Sequence, residues 1–269
     1  MPKILLAVNT LTSVDTAVYS NHCQFWFRLG RSSSHEMMLY HPRRMSIDRM
    51  RNVAARVALD NNCDYLMFVD DDVLIPTNAL DKLIEVDADI VSGWTIIRGY
   101  PYENMFFRYM DEGQVHLTQV KDKELPRGSF TPDGGEVIDV DAVGFSCVLI
   151  KTSLLKKVEP PFFVTGPRNT EDIYFCVKVQ KNISGVTIKT HLGVKTSHCL
   201  GNEYLDPLSK KLYKEYYEKL DPGVLAPQEP QKIEMTEEPK VGELSYEDIL
   251  ENEIWPENLS LADMINVTE

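Results

Sequence analysis

Ile4–Val8 is an unbroken apolar run after a charged start, as expected for a buried strand of parallel type. A polar turn, Asn9-Thr10-Leu11-Thr12-Ser13, ends it. Apolar positions such as Val18, Phe25, Trp26 and Leu29 then predict a helix over about Thr16–Leu29, and Glu36–Tyr40 reads as a second strand. The clearest periodicity lies in residues 46–60. Ile47, Met50, Val53, Ala54, Val57 and Ala58 share one helical face, and Ser46 stands at the N-cap position. Tyr65–Val69 follows as a strand that runs into three aspartates, then a helix over Asn78–Glu85 and a strand at Ile90–Ser92. Alternating strand and helix predict an α/β frame with a largely parallel sheet.

Beyond residue 99 the pattern changes. Residues 99–136 are rich in Gly, Pro, Asp and aromatics, with a hairpin expected around Met110–Thr118. Val137–Ile150 reads as one long β run interrupted by Gly144, and Ser153–Val158 as a short helix. A second clean helix covers Thr170 to about Gln180. Thr187–Lys189 and Val194–Thr196 are short strands, and a Lys/Tyr-rich helix at Ser209–Lys219 closes the folded body.

Composition is that of an ordinary globular chain, with 43% apolar and 26% charged residues. The net charge of −13 is unevenly spread, because twelve acids and two lysines fall within 226–269. The expected organisation is a domain over 1–225, with halves 1–100 and 101–225, a Pro/Glu-rich linker at 226–240, and a flexible acidic tail at 241–269. Residues 243–254 could form a short amphipathic helix. Leu244, Ile249, Ile254 and Trp255 are the candidates there for docking a protein partner or a second copy, and a disordered solubility tail is the alternative. The acidity disfavours nonspecific nucleic-acid binding. The five cysteines are scattered and argue against a disulfide framework. Met1-Pro2-Lys3 leads straight into the first strand, and no apolar run reaches the roughly 20 residues of a membrane span. A cytoplasmic location is the expectation.

Candidate chemistry starts at Asp70-Asp71-Asp72, at the carboxyl end of a strand, where open α/β sheets bind ligands. Three adjacent carboxylates repel one another, and a hard divalent cation such as Mg²⁺ or Mn²⁺ relieves that cost. Strand alternation predicts Asp70 and Asp72 on one side with Asp71 on the other. There is no G-x-x-x-x-G-K-[ST] loop and no G-x-G-x-x-G after the first strand, so side chains and metal must hold any phosphate. Arg49 and Asn52, about one helical turn apart, are candidates, Arg49 for its bidentate fork. A solvated helix face shared with Arg51 and Arg56 is the alternative.

The segments Ile47-Asp48-Arg49-x-Arg51-Asn52, Asp64–Val73, Asp89–Gly93 and Arg98–Pro101 occur in this order. Asp141–Ile150, Thr170–Cys176 and Ser197-His198 follow. Together they resemble the nucleotide-sugar glycosyltransferases of the GT-A fold, a Rossmann-like arrangement with a mostly parallel central sheet and a smaller acceptor-side region. The resemblance implies a nucleotide-diphosphate sugar donor, a hydroxyl acceptor, and Mn²⁺ or Mg²⁺. Asp70 and Asp72 match the D-x-D positions, and His198 matches a late histidine that completes the metal shell, with His191 a nearby competitor. Thr10 matches the loop that receives the base. Gly144-Phe145 matches a position beside the acceptor or donor sugar. Trp94, an aromatic plane after Gly93, is a candidate to stack on a sugar ring.

Such a transfer breaks a C1–O bond through an oxocarbenium-like transition state, and an inverting enzyme needs a carboxylate to take the acceptor's proton. Glu171-Asp172 is the candidate pair, at the first turn of a helix capped by Thr170, where acids also suit the helix dipole. By resemblance Asp172 is the base and Glu171 meets acceptor hydroxyls. Two other readings stay open. One is a haloacid-dehalogenase-like phosphohydrolase with Asp70 as nucleophile. The other is a non-catalytic sugar-binding relative.

Overall fold

The computed structural model describes residues 1–31, 34–110, 116–132, 134–166, 169–200, 203–220 and 233–234. The chain divides into two units, Met1–Met235 and Thr236–Glu269, and every described residue belongs to the first. The tail candidates Leu244, Ile249, Ile254 and Trp255 lie outside the described residues, as does most of the 226–240 stretch.

The chain order is β1 (Lys3–Asn9), α1 (Thr16–Arg31), β2 (Glu36–Tyr40), α2 (Ile47–Asp60), β3 (Tyr65–Asp70), β4 (Val73–Leu74), α3 (Ala79–Glu85) and β5 (Ile90–Trp94). Then come β6 (Phe106–Tyr109), β7 (His116–Gln119), β8 (Val137–Asp139), β9 (Ala142–Val143), β10 (Cys147–Lys151), α4 (Thr152–Leu155) and α5 (Glu171–Asn182). The remainder is β11 (Ile188–Lys195), β12 (Ser197–Leu200), β13 (Glu203–Leu205), α6 (Lys210–Leu220) and β14 (Ile233–Glu234).

The central sheet has seven strands in the order β2-β1-β3-β10-β5-β11-β8. Parallel pairing joins β1 to β2 and β3, and β5 to β11, while β10 runs antiparallel between β3 and β5 and β8 runs antiparallel at the edge. The sheet is therefore mostly parallel, within a mixed α/β fold. Strand alternation divides the core. Leu5, Ala7, Leu66 and Phe68 join the helices α2 and α5 on one face, whereas Ile4, Leu6, Val8, Met67 and Val69 join α1 and α3 on the other. Cover on both faces explains why β1 and β3 are apolar throughout instead of alternating.

Two smaller sheets flank this one, β13-β12-β4 and β14-β7-β6-β9. The expected hairpin at 110–118 is the antiparallel pair β6–β7. The long run at 137–150 is three strands in two sheets, because Gly144 turns its backbone N–H to the Met105 carbonyl (2.7 Å) and Asp141 accepts from the Tyr109 amide (2.8 Å). The two short strands expected at 187–196 are the single strand β11, with a register shift between His191 and Lys195. All five cysteines are free. No described helix is long and apolar enough to cross a membrane.

Candidate functional site

Asn9 and Asp70 stand side by side in the β1–β3 register, at the carboxyl ends of both strands. The alternation expected for the aspartates stops there. Asp71 and Asp72 form a turn, and Asp72 is fixed by its carbonyl, which accepts from the Cys199 amide at 2.8 Å. Antiparallel pairing of β12 with β4 sets His198 opposite Val73, immediately after the cluster.

Arg51 ties this strand end to the helix that begins 120 residues later in the chain, at Glu171. It is 2% exposed. Its Nε donates to Glu171 Oε1 (2.9 Å), its Nη2 to Asp70 Oδ1 (3.2 Å) and its Nη1 to the Phe145 carbonyl (3.3 Å). The guanidinium lies over the rings of Phe68 and Phe145, 4.9 and 5.4 Å from their centroids. Burial alone lowers the pKa of Arg51, but Asp70, Glu171 and Asp172 more than offset that and raise it. The acidic strand end and the Glu171-Asp172 turn therefore share one buried cation.

Burial raises the pKa of Asp70 above the ordinary carboxylate value, against the opposing pull of Arg51, and Asp72 raises it further. Asp71 is pushed up to about 6, by burial first and then by Asp72 and Asp70, while a hydrogen bond from the Leu11 backbone opposes the shift. Arg98 Nη1 holds Asp72 Oδ2 at 2.7 Å. His198 is 5% exposed, and its Nδ1 has no hydrogen-bond partner among the described residues. Burial lowers its pKa, with Asp72 and Asp70 acting the other way. Neither polar side-chain atom of buried Asn9 has a partner among the described residues. Orphaned polar atoms of this kind are rare in a folded interior and here border one acidic strand end.

Two carboxylates and an imidazole with an unengaged nitrogen fit the chemistry of a divalent cation such as Mn²⁺. Among the described residues no group of three or more His, Cys, Asp or Glu is already gathered to hold a metal. Asp72 is engaged by Arg98 instead.

Asp172 lies at the start of α5, 6% exposed. Thr170 holds the N-cap position without a side-chain cap bond. Its hydroxyl donates to Asp172 Oδ1, which also accepts from the Ile173 amide at 2.7 Å. Burial, then the neighbouring Glu171, pushes the Asp172 carboxyl up to about 6. Glu171 has one oxygen committed to Arg51.

Several expected residues stand elsewhere. Asn52 has no amide capacity left for a donor: its Nδ2 donates to the Asp48 and Phe163 carbonyls, and its Oδ1 accepts from the Phe162 and Phe163 amides. It pins the 162–163 segment to α2. Trp94 is fully buried, edge-on to Phe106 and Phe130, with its indole N–H donating to Asn104 Oδ1 (2.9 Å), so no face is open to a sugar ring. The close approach at Gly144 is the Met105 side chain, which would lie 2.5 Å from an added Cβ, and the Phe145 ring is part of the floor under Arg51. Thr10 uses its backbone N–H and C=O on Pro42 and Arg44. Arg49 is half-buried in the first turn of α2. His191 is held within β11, where its Nδ1 accepts from the Gly193 amide (3.1 Å). Arg51 itself carries a sequence signal, since it falls on the apolar stripe with Ile47, Ala54 and Ala58, where a charge needs a buried partner.

No family model and no curated protein matches this sequence. Among solved structures, the fold is similar to that of A197 from STIV, with a TM-score of 0.52 and 18% identity over 77% of this chain and 91% of that one. At that identity the likeness concerns the fold alone. A weaker match, to mannose-1-phosphate geranyltransferase from Thermus thermophilus, has a TM-score of 0.36 and 7% identity over 77% of this chain and 76% of that one.

Proposed function

We propose that this chain is a metal-dependent glycosyltransferase that moves a sugar from a nucleotide-diphosphate donor to a hydroxyl acceptor with inversion. The observation that carries the reading is Arg51, whose guanidinium binds Asp70 and Glu171 together. Two acidic motifs far apart in sequence thereby border one site, with the unpartnered nitrogens of His198 and Asn9 beside the first. Asp70, Asp72 and His198 would hold Mn²⁺ or Mg²⁺, which when bound supplies positive charge against the leaving diphosphate.

The chain's own residues do the rest. Arg51 offsets part of the charge on Asp70 and Glu171, so that acids can be concentrated where unpaired charge is costly. Asp172 takes the proton of the acceptor hydroxyl as its oxygen bonds to the sugar C1 and the C1–diphosphate oxygen bond breaks. A carboxyl raised to about 6 is ionised at pH 7 and above, yet more basic than an exposed aspartate. Thr170 and the Ile173 amide fix its orientation. Arg98, half exposed, is the cation nearest Asp72 and is placed to exchange that carboxylate for a diphosphate oxygen.

A phosphohydrolase using Asp70 as nucleophile fits less well, because Arg51 holds Asp70 Oδ1 and the residue sits on the third strand of the chain. A thermal-shift panel of nucleoside diphosphates with and without Mn²⁺ tests the reading. Stabilisation by one nucleotide only when metal is present, lost in Asp72→Asn and kept in Asp172→Asn, is the expected result. Equal shifts with and without metal, or an unchanged response in Asp72→Asn, would count against it.

A further inference from the structure

A cavity of about 640 Å³ opens beside the turn that carries Arg98. Five lysines line it, namely Lys121, Lys123, Lys210, Lys211 and Lys214, against two acids, Glu103 and Asp122. That is a local excess of positive charge in a chain whose net charge is −13. Lys210, in its wall, is only 5% exposed. Its ammonium donates to Asn104 Oδ1 (2.8 Å) and to Asp122 Oδ1, and lies over the rings of Trp94 and Phe130. Burial lowers its pKa, and the nearby Lys214 adds to that against the pull of Asp122. Lys121 pairs with Glu103 at 3.3 Å, whereas Lys123 and Lys214 have no ion pair among the described residues. Tyr102, Phe130 and Leu208 supply apolar wall between the charges.

One turn borders both this cavity and the acidic site. The Ile97 amide donates to the Glu103 carbonyl (2.8 Å) and the Tyr102 amide to the Gly99 carbonyl (2.9 Å). Arg98 leaves that turn toward Asp72, while Pro101, Tyr102 and Glu103 line the cavity. Tyr102 holds a φ of +60°, and its ring packs against Tyr213 and Tyr217 of α6. On the other side, β13 pairs His198 with Leu205, two residues before Pro207 in the cavity wall.

We propose that the cavity binds a small phosphorylated molecule, its phosphate met by Lys123 and Lys214. Ammonium groups on flexible stems suit a phosphate dianion as point charges. The volume falls within the range of small-molecule sites, and the acidic total disfavours a long polyanion.

Titration calorimetry in EDTA, with glucose 6-phosphate as probe, tests the cavity without the metal site. Wild type should bind the probe, inorganic phosphate should compete and glucose should not bind. Lys123→Glu/Lys214→Glu should lose about tenfold or more in affinity with an unchanged thermal midpoint. No binding of either phosphate-bearing probe at millimolar concentration, or wild-type affinity in the double variant, would overturn the proposal. Tighter binding of an oligothymidylate strand than of glucose 6-phosphate would also overturn it. If the probe binds as expected while no nucleotide sugar is turned over, the cavity stands and the transferase reading falls.

Discussion

Replacing Asp172 with asparagine should make the protein more stable and less active, and both effects follow from one buried carboxyl. Asparagine keeps the shape and an oxygen to accept from Thr170 and the Ile173 amide, the two bonds that position the native side chain. What it removes is a charge that the fold disfavours. The Asp172 pKa rises from 3.8 to about 6, chiefly through burial. At about 1.4 kcal/mol per unit, the ionised form costs roughly 3 kcal/mol relative to the neutral one. Because the folded pKa is the higher, this group's contribution is fully present below pH 3.8 and is lost as pH rises through 6. Asp172→Asn should therefore match wild type near pH 4 and exceed it by about 3 kcal/mol at pH 8. That is a midpoint increase of roughly 6–12 °C for a domain of this size. Over the same range a general base predicts a loss of about 10²–10⁴ in transfer rate. Thermal denaturation at pH 4, 6 and 8, paired with a turnover assay, reads both. A stability difference that does not change with pH, or a variant that still transfers sugar, would refute the reasoning.

Arg51→Met should destabilise the protein by about 3–5 kcal/mol in urea denaturation at pH 7, because it leaves the buried Glu171 and half-buried Asp70 carboxylates without their cation. A loss below about 1 kcal/mol would mean the bridge is not what holds α2 to α5. Asn52→Ala should cost about 1–3 kcal/mol by orphaning the Phe162 and Phe163 amides while leaving nucleotide affinity unchanged. Reduced affinity at full stability would return Asn52 to the donor site. The wild-type turnover rate should fall as pH drops through about 6, where Asp172 gains its proton, and Asp172→Asn should remove that limb from its residual rate.

The frame is legible in the sequence because its strands are apolar on both faces and its helices carry clear stripes. Ile4–Val8, Tyr65–Val69 and the 46–60 helix need no tertiary information. The reversed β10 is not legible, since antiparallel insertion in the middle of a sheet leaves no mark on a doubly buried strand. Site residues divide by mechanism. Asp70 and Asp72 stand out because clustered charge after an apolar strand is costly. Arg51 hides beside Arg49 when the helix is scanned for exposed arginines, although its place on the apolar stripe marks it. Trp94 and Asn52 mislead for one reason: an aromatic ring or an amide suits a ligand and a core equally well, and only their partners, Asn104 and the 162–163 backbone, decide between them.

The most direct measurement of the central claim is release of nucleoside diphosphate from a panel of nucleotide sugars incubated with the protein and Mn²⁺. The account predicts turnover of one donor, stopped by chelation. Release that continues in excess EDTA, or no release from any donor alongside hydrolysis of p-nitrophenyl phosphate, would contradict it.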